Sequence, residues 1–430
     1  MNEERNGKTL EGAPPVFGDV GVVAFVPDDW DCKWQPRHQV LSRLARYFHV
    51  AWVSPAYPWP EALGLRARRT LPPRPASPGP GFRDFPPVRW LPKFYGPLWL
   101  VHLTERSRFR LARAWLRRMG CRTIILYLWR PEFSAVLAGG GFDLACYHVD
   151  DEYSFSTEEN PVSGEERRVL ESADQVFIHS PALLDKKGRI NPHTAHIPNG
   201  VDFRSFSSPV PEPADLAAIP HPRVGYSGWL KPQIDWELLL SLAAKHTQWQ
   251  FVFVGGVHPR PDNVEAVRKL RELPNVHVLG SKDTQELARY PQHFDVCIMP
   301  YRRDDYTKFI YPLKVHEYLA SGRPVVGTPL PSLEEFAAFV ALPESSGQWS
   351  AAIAASLRPE ANTPEQRQIR QRVARAHDWD VLVERIAKTM AERLHPAVAQ
   401  RFTSLVLSSG LDSSEQETGR ADSYASAKLQ

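Results

Sequence analysis

The stretch YPLKVHEYLASGRPVVGTPLPSL, residues 311–333, decides how this chain folds. Pro312 suits the first turn of a helix, where a missing N–H costs nothing. The helix is expected over 313–321, Gly322 ends it, and a strand begins at 324–327. Lys314 and Glu317 then fall at i and i+3, on one face near the positive end of the helix dipole. A cation and a carboxylate at a helix N-terminus suit a nucleotide diphosphate. Lysine and free N–H groups meet phosphate oxygens, and the carboxylate accepts from ribose hydroxyls. The same spacing also describes an ordinary surface ion pair.

Outward from this segment, helix followed by strand is one step of a repeating series. Strands are expected at 223–226, 250–254, 276–279 and 295–299, and helices at 235–245, 264–273 and 364–376, with a last helix over 381–394. Upstream, VGVVAFV (20–26) is a continuous apolar run of the kind a buried parallel strand carries. Val40, Leu41, Leu44 and Tyr47 share one helical face. Further strands are expected at 50–53, 123–128, 145–149 and 175–179, and 58–92 reads as an irregular loop rich in Pro, Gly and Arg. Alternation of this kind implies an α/β fold of two doubly wound parallel sheets. Five prolines in SSPVPEPADLAAIPHP mark the boundary. The expected organisation is a disordered start (1–17), a first Rossmann-like domain (18–206), a linker (207–222), a second Rossmann-like domain (223–376), a crossover helix (377–403) and a disordered tail (404–430). Ligands of such sheets sit at the carboxyl ends of the strands, here in a cleft between the two domains.

Composition narrows the class. In 430 residues, 43% are hydrophobic and the net charge is only +3, but the charge is uneven. Residues 61–122 hold fourteen Arg/Lys against three Asp/Glu, a candidate surface for anionic partners. Cys32, Cys121, Cys146 and Cys297 form no C-x-x-C pair, which argues against a disulfide framework or zinc site and fits a reducing cytoplasm. MNEERNGKTLEG lacks a signal-peptide core, and no apolar run reaches bilayer length. Contact with a membrane is therefore expected only from its surface. No G-x-G-x-x-G follows a strand, and there is no Walker A loop or H-E-x-x-H.

Candidate chemistry lies in YHVDDEYSF, residues 147–155, at a strand end. Inverting transfer to a hydroxyl needs a base, and His148, Asp150 and Asp151 are available. A strand-end Asx turn or helix cap is the competing reading, with Asp150 capping and Asp151 catalysing as the combined one. Arg37 and His38 follow the first strand and are acceptor-side candidates. The segment 89–122 (RWLPKFYGPLWL, then RFRLARAWLRRMG) joins Trp and Leu with Arg, as an interfacial helix on anionic lipid does. A solvated helix face over core aromatics has the same composition.

Several of these motifs resemble those of GT-B glycosyltransferases, especially glycosyltransferase family 4. Residues 311–333 are similar to the family's P-x-K-x-x-E-Y-x-A-x-G-x-P-V-V donor pattern. HIPNGVDFRSF (196–206) resembles its I-P-N-G-V-D signature, and VGYSGWL (224–230) its glycine loop. HVLGSKDTQELARY and FDVCIMPY resemble the next two strands, and HDWD (377–380) the start of the final crossing helix. The N-terminal WDCKWQPRHQVLSRLA is similar to a subset of bacterial polysaccharide-synthesis members. The resemblance implies a GT-B fold and sugar transfer from a UDP- or GDP-linked donor to a lipid-linked or polysaccharide acceptor. It implies no metal, no cofactor and no nucleic acid partner. Carried over residue by residue, it places Gly228, Lys231, Ser281, Lys314 and Glu317 with the donor. Asp151 matches the strand-end aspartate of inverting exopolysaccharide glucuronosyltransferases. There are departures: Phe309 stands where the family has a first glutamate, Trp229 where it has Arg, and Lys231-Pro232 where it has Lys-Gly. A retaining mechanism is therefore in doubt. Two other readings share the fold, a nucleotide-sugar epimerase and a degenerate non-catalytic binding subunit.

Overall fold

A computed structural model describes residues 14–66, 77–153 and 162–409. The chain forms two units: Met1–Ile178 with Leu184–Ile197 and Asp380–Gln430, and His179–Leu183 with Pro198–Trp379.

The first unit holds a seven-stranded sheet made of β1 (Phe17–Phe25), β2 (Phe48–Val53), β3 (Phe82–Phe85), β4 (Thr123–Leu128), β5 (Leu144–Val149), β6 (Gln175–Ile178) and β7 (Thr194–His196). Its order is β3-β2-β1-β4-β5-β6-β7, and every pairing is parallel. The register runs Val22↔Val50 on one side of β1 and Val22↔Ile125 on the other. The apolar run at the start of the chain is this central strand, and Val20 and every residue from Val22 to Val26 are buried. Helices on both faces satisfy a sheet that has no solvent side.

In the second unit, β8 (Arg223–Ser227), β9 (Gln250–Val254), β10 (Val276–Gly280), β11 (Val296–Met299), β12 (Val325–Gly327) and β13 (Val340–Ala341) form a parallel sheet of order β10-β9-β8-β11-β12-β13. Successive side chains alternate between its two faces. Phe251, Phe253, Val296 and Ile298 pack with Leu239, Leu242, Trp349 and Ile353 of two helices. Val252, Val254, Cys297 and Met299 pack with Val315, Tyr318 and Leu319 on the other side. In both sheets the order reverses beside the first strand, so the carboxyl ends of β1/β4 and β8/β11 are the switch points where a ligand is expected.

Four differences from the sequence reading have physical causes. β3 lies inside the segment read as a loop. It is a four-residue edge strand, too short to show a period, and its register is set by β2 (Val50↔Phe82). The proline-rich stretch is not a free linker. Leu216 and Ile219 are buried in the core of the second unit, and Arg223 ion-pairs with Glu212. The main segment of the second unit accordingly runs from Pro198 to Trp379, starting upstream of the expected boundary. The tail expected from residue 404 is helical as far as Ser409, in the helix Pro396–Ser409. Phe402 anchors it by stacking on Phe17 and Tyr47, both at 5.6 Å. Residues 1–13 and 410–430, expected to be disordered, lie outside the described residues.

The helix Trp379–Leu394 returns the chain to the first unit. Asp380 pairs with Arg43 at 2.6 Å and Arg46 at 2.9 Å, and Arg385 donates to the His196 carbonyl. All four cysteines are free.

Candidate functional site

In the second unit, three turns meet at the carboxyl ends of β8, β9 and β10. Gly228 has φ 127° and Gly255 φ 151°, both in the region that favours glycine. A Cβ on Gly255 would run into the Gly228 carbonyl, with the carbonyl carbon only 2.6 Å away. Backbone bonds lock the turns together: Gly228 N–H to Val254 O (2.7 Å), Gly255 N–H to Gly280 O (2.8 Å) and Leu230 N–H to Gly256 O (2.9 Å). Ser281 is exposed beside this nest, its Oγ 3.7 Å from where a Gly256 Cβ would lie.

The helix Leu313–Ala320 starts at Pro312 with no side-chain cap and no acidic residue in its first turn. Its first N–H groups and dipole are thus open to an anion. Lys314 reaches over the bare backbone of Gly228, where a Cβ would meet its Cε at 2.7 Å, and its Nζ lies 5.1 Å from the Tyr226 ring centroid. Lys314 and Glu317 make no ion pair with each other or with any other described residue, so the bland surface-pair reading fails here. Glu317 is half-buried. Loss of water raises its carboxyl above the usual range, and the Lys314 charge only partly offsets this. Tyr318 fixes the helix against the glycine turn by accepting from the Ser227 N–H at 2.9 Å. Asn199, from the I-P-N-G motif, donates to the Tyr311 carbonyl at 2.9 Å. Lys231 is exposed on the turn after Leu230.

Sequence reasoning missed the Gly255–Gly256 turn, although its only signal, a Gly-Gly at a strand end, was legible. It also missed His316, which is fully buried, stacked 4.3 Å from His377 and 5.5 Å from Tyr311, and has neither ring nitrogen hydrogen-bonded. Burial holds its imidazole neutral.

In the first unit, the ends of β1, β4 and β5 gather a charged cluster. The Arg37 guanidinium bridges Asp28 and Asp150, both by close contacts. Burial opposes ionisation of Asp150, but Arg37, the Tyr153 hydroxyl and Arg130 outweigh it and hold the carboxyl below its usual range. Glu152, two residues on, is buried against Lys186 (3.0 Å) and Lys187 (3.0 Å), and Lys187 also reaches Glu166 at 2.7 Å. Asp151 lies between these two anchored acids. It is half-buried, and its Oδ1 accepts the Glu152 N–H at 2.8 Å. Arg130, absent from the sequence reading, lies with its guanidinium 4.4 Å from the Tyr153 ring centroid.

Two expected residues are placed elsewhere. His148 is buried inside the sheet, stacked on Trp129 at 4.2 Å and bonded to the Tyr127 hydroxyl at 2.8 Å. His38 has no exposed surface. It closes the capping box of the helix Pro36–Leu44, accepts the Gln35 N–H at 3.1 Å, and packs among Trp30, Trp34 and Trp52. Burial, with the neighbouring Arg37 charge, pushes its pKa down to about 4. An acceptor-side role for His38 is not compatible with that position.

Two sheets of Rossmann order, with a last helix returning to the first unit, define the GT-B fold. Residues 221–358 match the model of the family described as glycosyl transferases group 1. A protein of Bacillus subtilis (strain 168), TuaH, is 30% identical over 246 residues. Its name assigns it to teichuronic acid biosynthesis as a glycosyltransferase. The match takes in 54% of this chain and spans 61% of the length of that relative. Among solved structures, sucrose-phosphate synthase from Thermosynechococcus elongatus superposes with a TM-score of 0.64 at 19% identity, covering 86% of this chain and 98% of that one. Anabaena HepE, solved with UDP and glucose, gives 0.62 at 16%, covering 86% and 99%. The lipopolysaccharide outer core galactosyltransferase WaaB gives 0.57 at 12%, covering 87% and 100%.

Proposed function

We propose that the protein is a metal-independent glycosyltransferase. It moves a sugar from a UDP- or GDP-linked donor to a lipid-linked or polysaccharide acceptor, in the synthesis of a cell-surface polysaccharide. The observation that carries this reading is the placement of Lys314 on the backbone of Gly228, beside an uncapped helix N-terminus. That arrangement offers a diphosphate one full charge and several N–H donors, which can stabilise a leaving nucleotide without a cation. Glu317 accepts from the ribose hydroxyls. Ser281 lies on the same rim, and Lys231 supplies further positive charge.

The acceptor side belongs to the first unit. Asp151 takes the proton of the acceptor hydroxyl as its oxygen attacks the anomeric carbon. The bond from that carbon to the diphosphate breaks, and the electron pair leaves on the terminal phosphate oxygen. One displacement of this kind inverts the centre. Asp150 and Glu152, both held in buried ion pairs, keep the Asp151 backbone in place, and Arg37 acts through Asp150. The Bacillus relative and the UDP-bound neighbour support the substrate class, and the carboxylate missing at Phe309 supports inversion. Location on the cytoplasmic side of a membrane follows from the supply of nucleotide-sugars.

Isothermal titration of the full chain with UDP, GDP, ADP and TDP tests the donor reading. One nucleotide binds, and Glu317→Ala loses roughly 1.5–3 kcal/mol of that affinity while the fold is retained. Equal affinity in wild type and Glu317→Ala refutes the assignment.

A further inference from the structure

We infer that the first unit docks on anionic lipid bilayers through the outward face of the helix Leu98–Arg118 and the loop before it. The buried face of this helix is Thr104, Glu105, Arg108, Phe109, Ala112 and Leu116. On the solvent side Trp99, Leu103, Arg110 and Arg117 follow at i, i+4, i+11 and i+18, with Arg118 exposed beside them, whereas Arg106 and Arg113 are half-buried and donate to the Ala135 and Gly141 carbonyls. With about 100° per residue these four form one stripe, about 27 Å long at 1.5 Å per residue. Its first turn is apolar and the rest is basic. The helix has one acid, Glu105, and it is buried in a pair with Arg108 at 3.0 Å, so the outer face carries no negative charge.

The apolar end is larger than the helix. Trp90, Tyr95, Leu98 and Trp99 are 66–74% exposed, and Leu103 is 49% exposed. Scattered exposed hydrophobics need no explanation, but five in fourteen residues do. Their types decide the occupant. Trp and Tyr with Leu, flanked by Arg, match the interface between headgroups and acyl chains. A soluble polyanion would use the arginines and leave the Trp and Leu side chains in water. The charge asks for anionic headgroups, and each arginine near such a surface adds to binding.

The experiment is sedimentation of the full chain with vesicles of pure phosphatidylcholine and of phosphatidylcholine with 30% phosphatidylglycerol, at low and high salt. Two variants are compared. Arg89→Gln/Arg110→Gln/Arg118→Gln removes charges that make no ion pair among the described residues. Leu98→Ser/Trp99→Ser removes the apolar end. Thermal melting and nucleotide titration show that both fold, and keep this test separate from that of the proposed activity. The wild type binds the anionic vesicles alone, the arginine variant on the order of 100-fold more weakly, and the apolar variant at least tenfold more weakly. Equal binding to both vesicles, or none, overturns the inference. So does an apolar variant that binds like wild type, because the partner is then a soluble polyanion. A concentration-dependent dimer abolished by Leu98→Ser/Trp99→Ser overturns it as well, the occupant then being a second copy.

Discussion

Asp150 and Asp151 are adjacent in sequence, yet exchanging each for asparagine has opposite consequences. Asp150 is ion-paired with Arg37, and both side chains are more than nine-tenths buried. Asn at 150 leaves that guanidinium with Asp28 alone. Breaking a buried pair from one side costs about 3–5 kcal/mol, and the remaining aspartate puts the expected loss at about 3 kcal/mol. In a unit of this size 1 kcal/mol moves the melting point by roughly 2–4 °C, so Asp150→Asn melts roughly 6–12 °C lower. Asp151 is half-buried, and the bond its Oδ1 accepts from the Glu152 N–H can be kept by the Asn carbonyl oxygen. Asp151→Asn therefore changes stability less than Asp150→Asn does. Loss of the basic lone pair lowers turnover by about 10²–10⁴-fold. The assay is release of the nucleoside diphosphate from its sugar donor in the presence of a lipid-linked acceptor, alongside thermal melting and nucleotide titration. Full turnover in Asp151→Asn would remove it as the base. An unshifted melting point in Asp150→Asn would refute the account of the Arg37 cluster.

Two further outcomes follow from the donor side. Gly255→Ala forces a side chain at φ 151° into the Gly228 carbonyl. Strain and overpacking together cost about 2–5 kcal/mol, and nucleotide affinity falls with the displaced Gly228 turn. A variant that melts and binds like wild type contradicts the packing described. For Glu317 the folded-state carboxyl titrates above its unfolded value of 4.5. Ionisation is therefore a penalty on the fold that is absent below the unfolded value and is complete once the pH exceeds the folded one. Glu317→Gln should raise the melting point of the nucleotide-free protein at pH 7 but not at pH 4, while weakening nucleotide binding. A variant less stable than wild type at pH 7 contradicts this sign.

Much of the architecture was legible because parallel strands buried on both faces must be apolar throughout, as 20–26, 124–128 and 251–254 are. Helices between them carry one apolar stripe, and the alternation leaves little choice of class. The placement of Lys314 and Glu317 was legible for a related reason. Lys314 and Glu317 share a helix, so their spacing alone brings them to one face. β3 and β13 were not legible, being four and two residues long, with pairing supplied by a neighbour. Nor was the packing of residues 207–222, whose prolines suggest a linker while two apolar side chains dock it on the second unit.

What the chain order alone determined, then, is the class of fold, the two Rossmann-like sheets and the helix that carries Lys314 and Glu317. These depend on local periodicity and on short-range spacing. Tertiary structure decided what each polar residue does. Asp28 and Arg37 lie more than a hundred residues before Asp150, and only the order β1-β4-β5 brings them to it. His38 and His148 read as reactive because an imidazole in a sequence carries no record of its burial. The structure puts both in aromatic packing, and burial holds the His38 imidazole neutral. The contact of Lys314 with Gly228, 86 residues away, likewise exists only once β8 and the Leu313–Ala320 helix share one sheet edge.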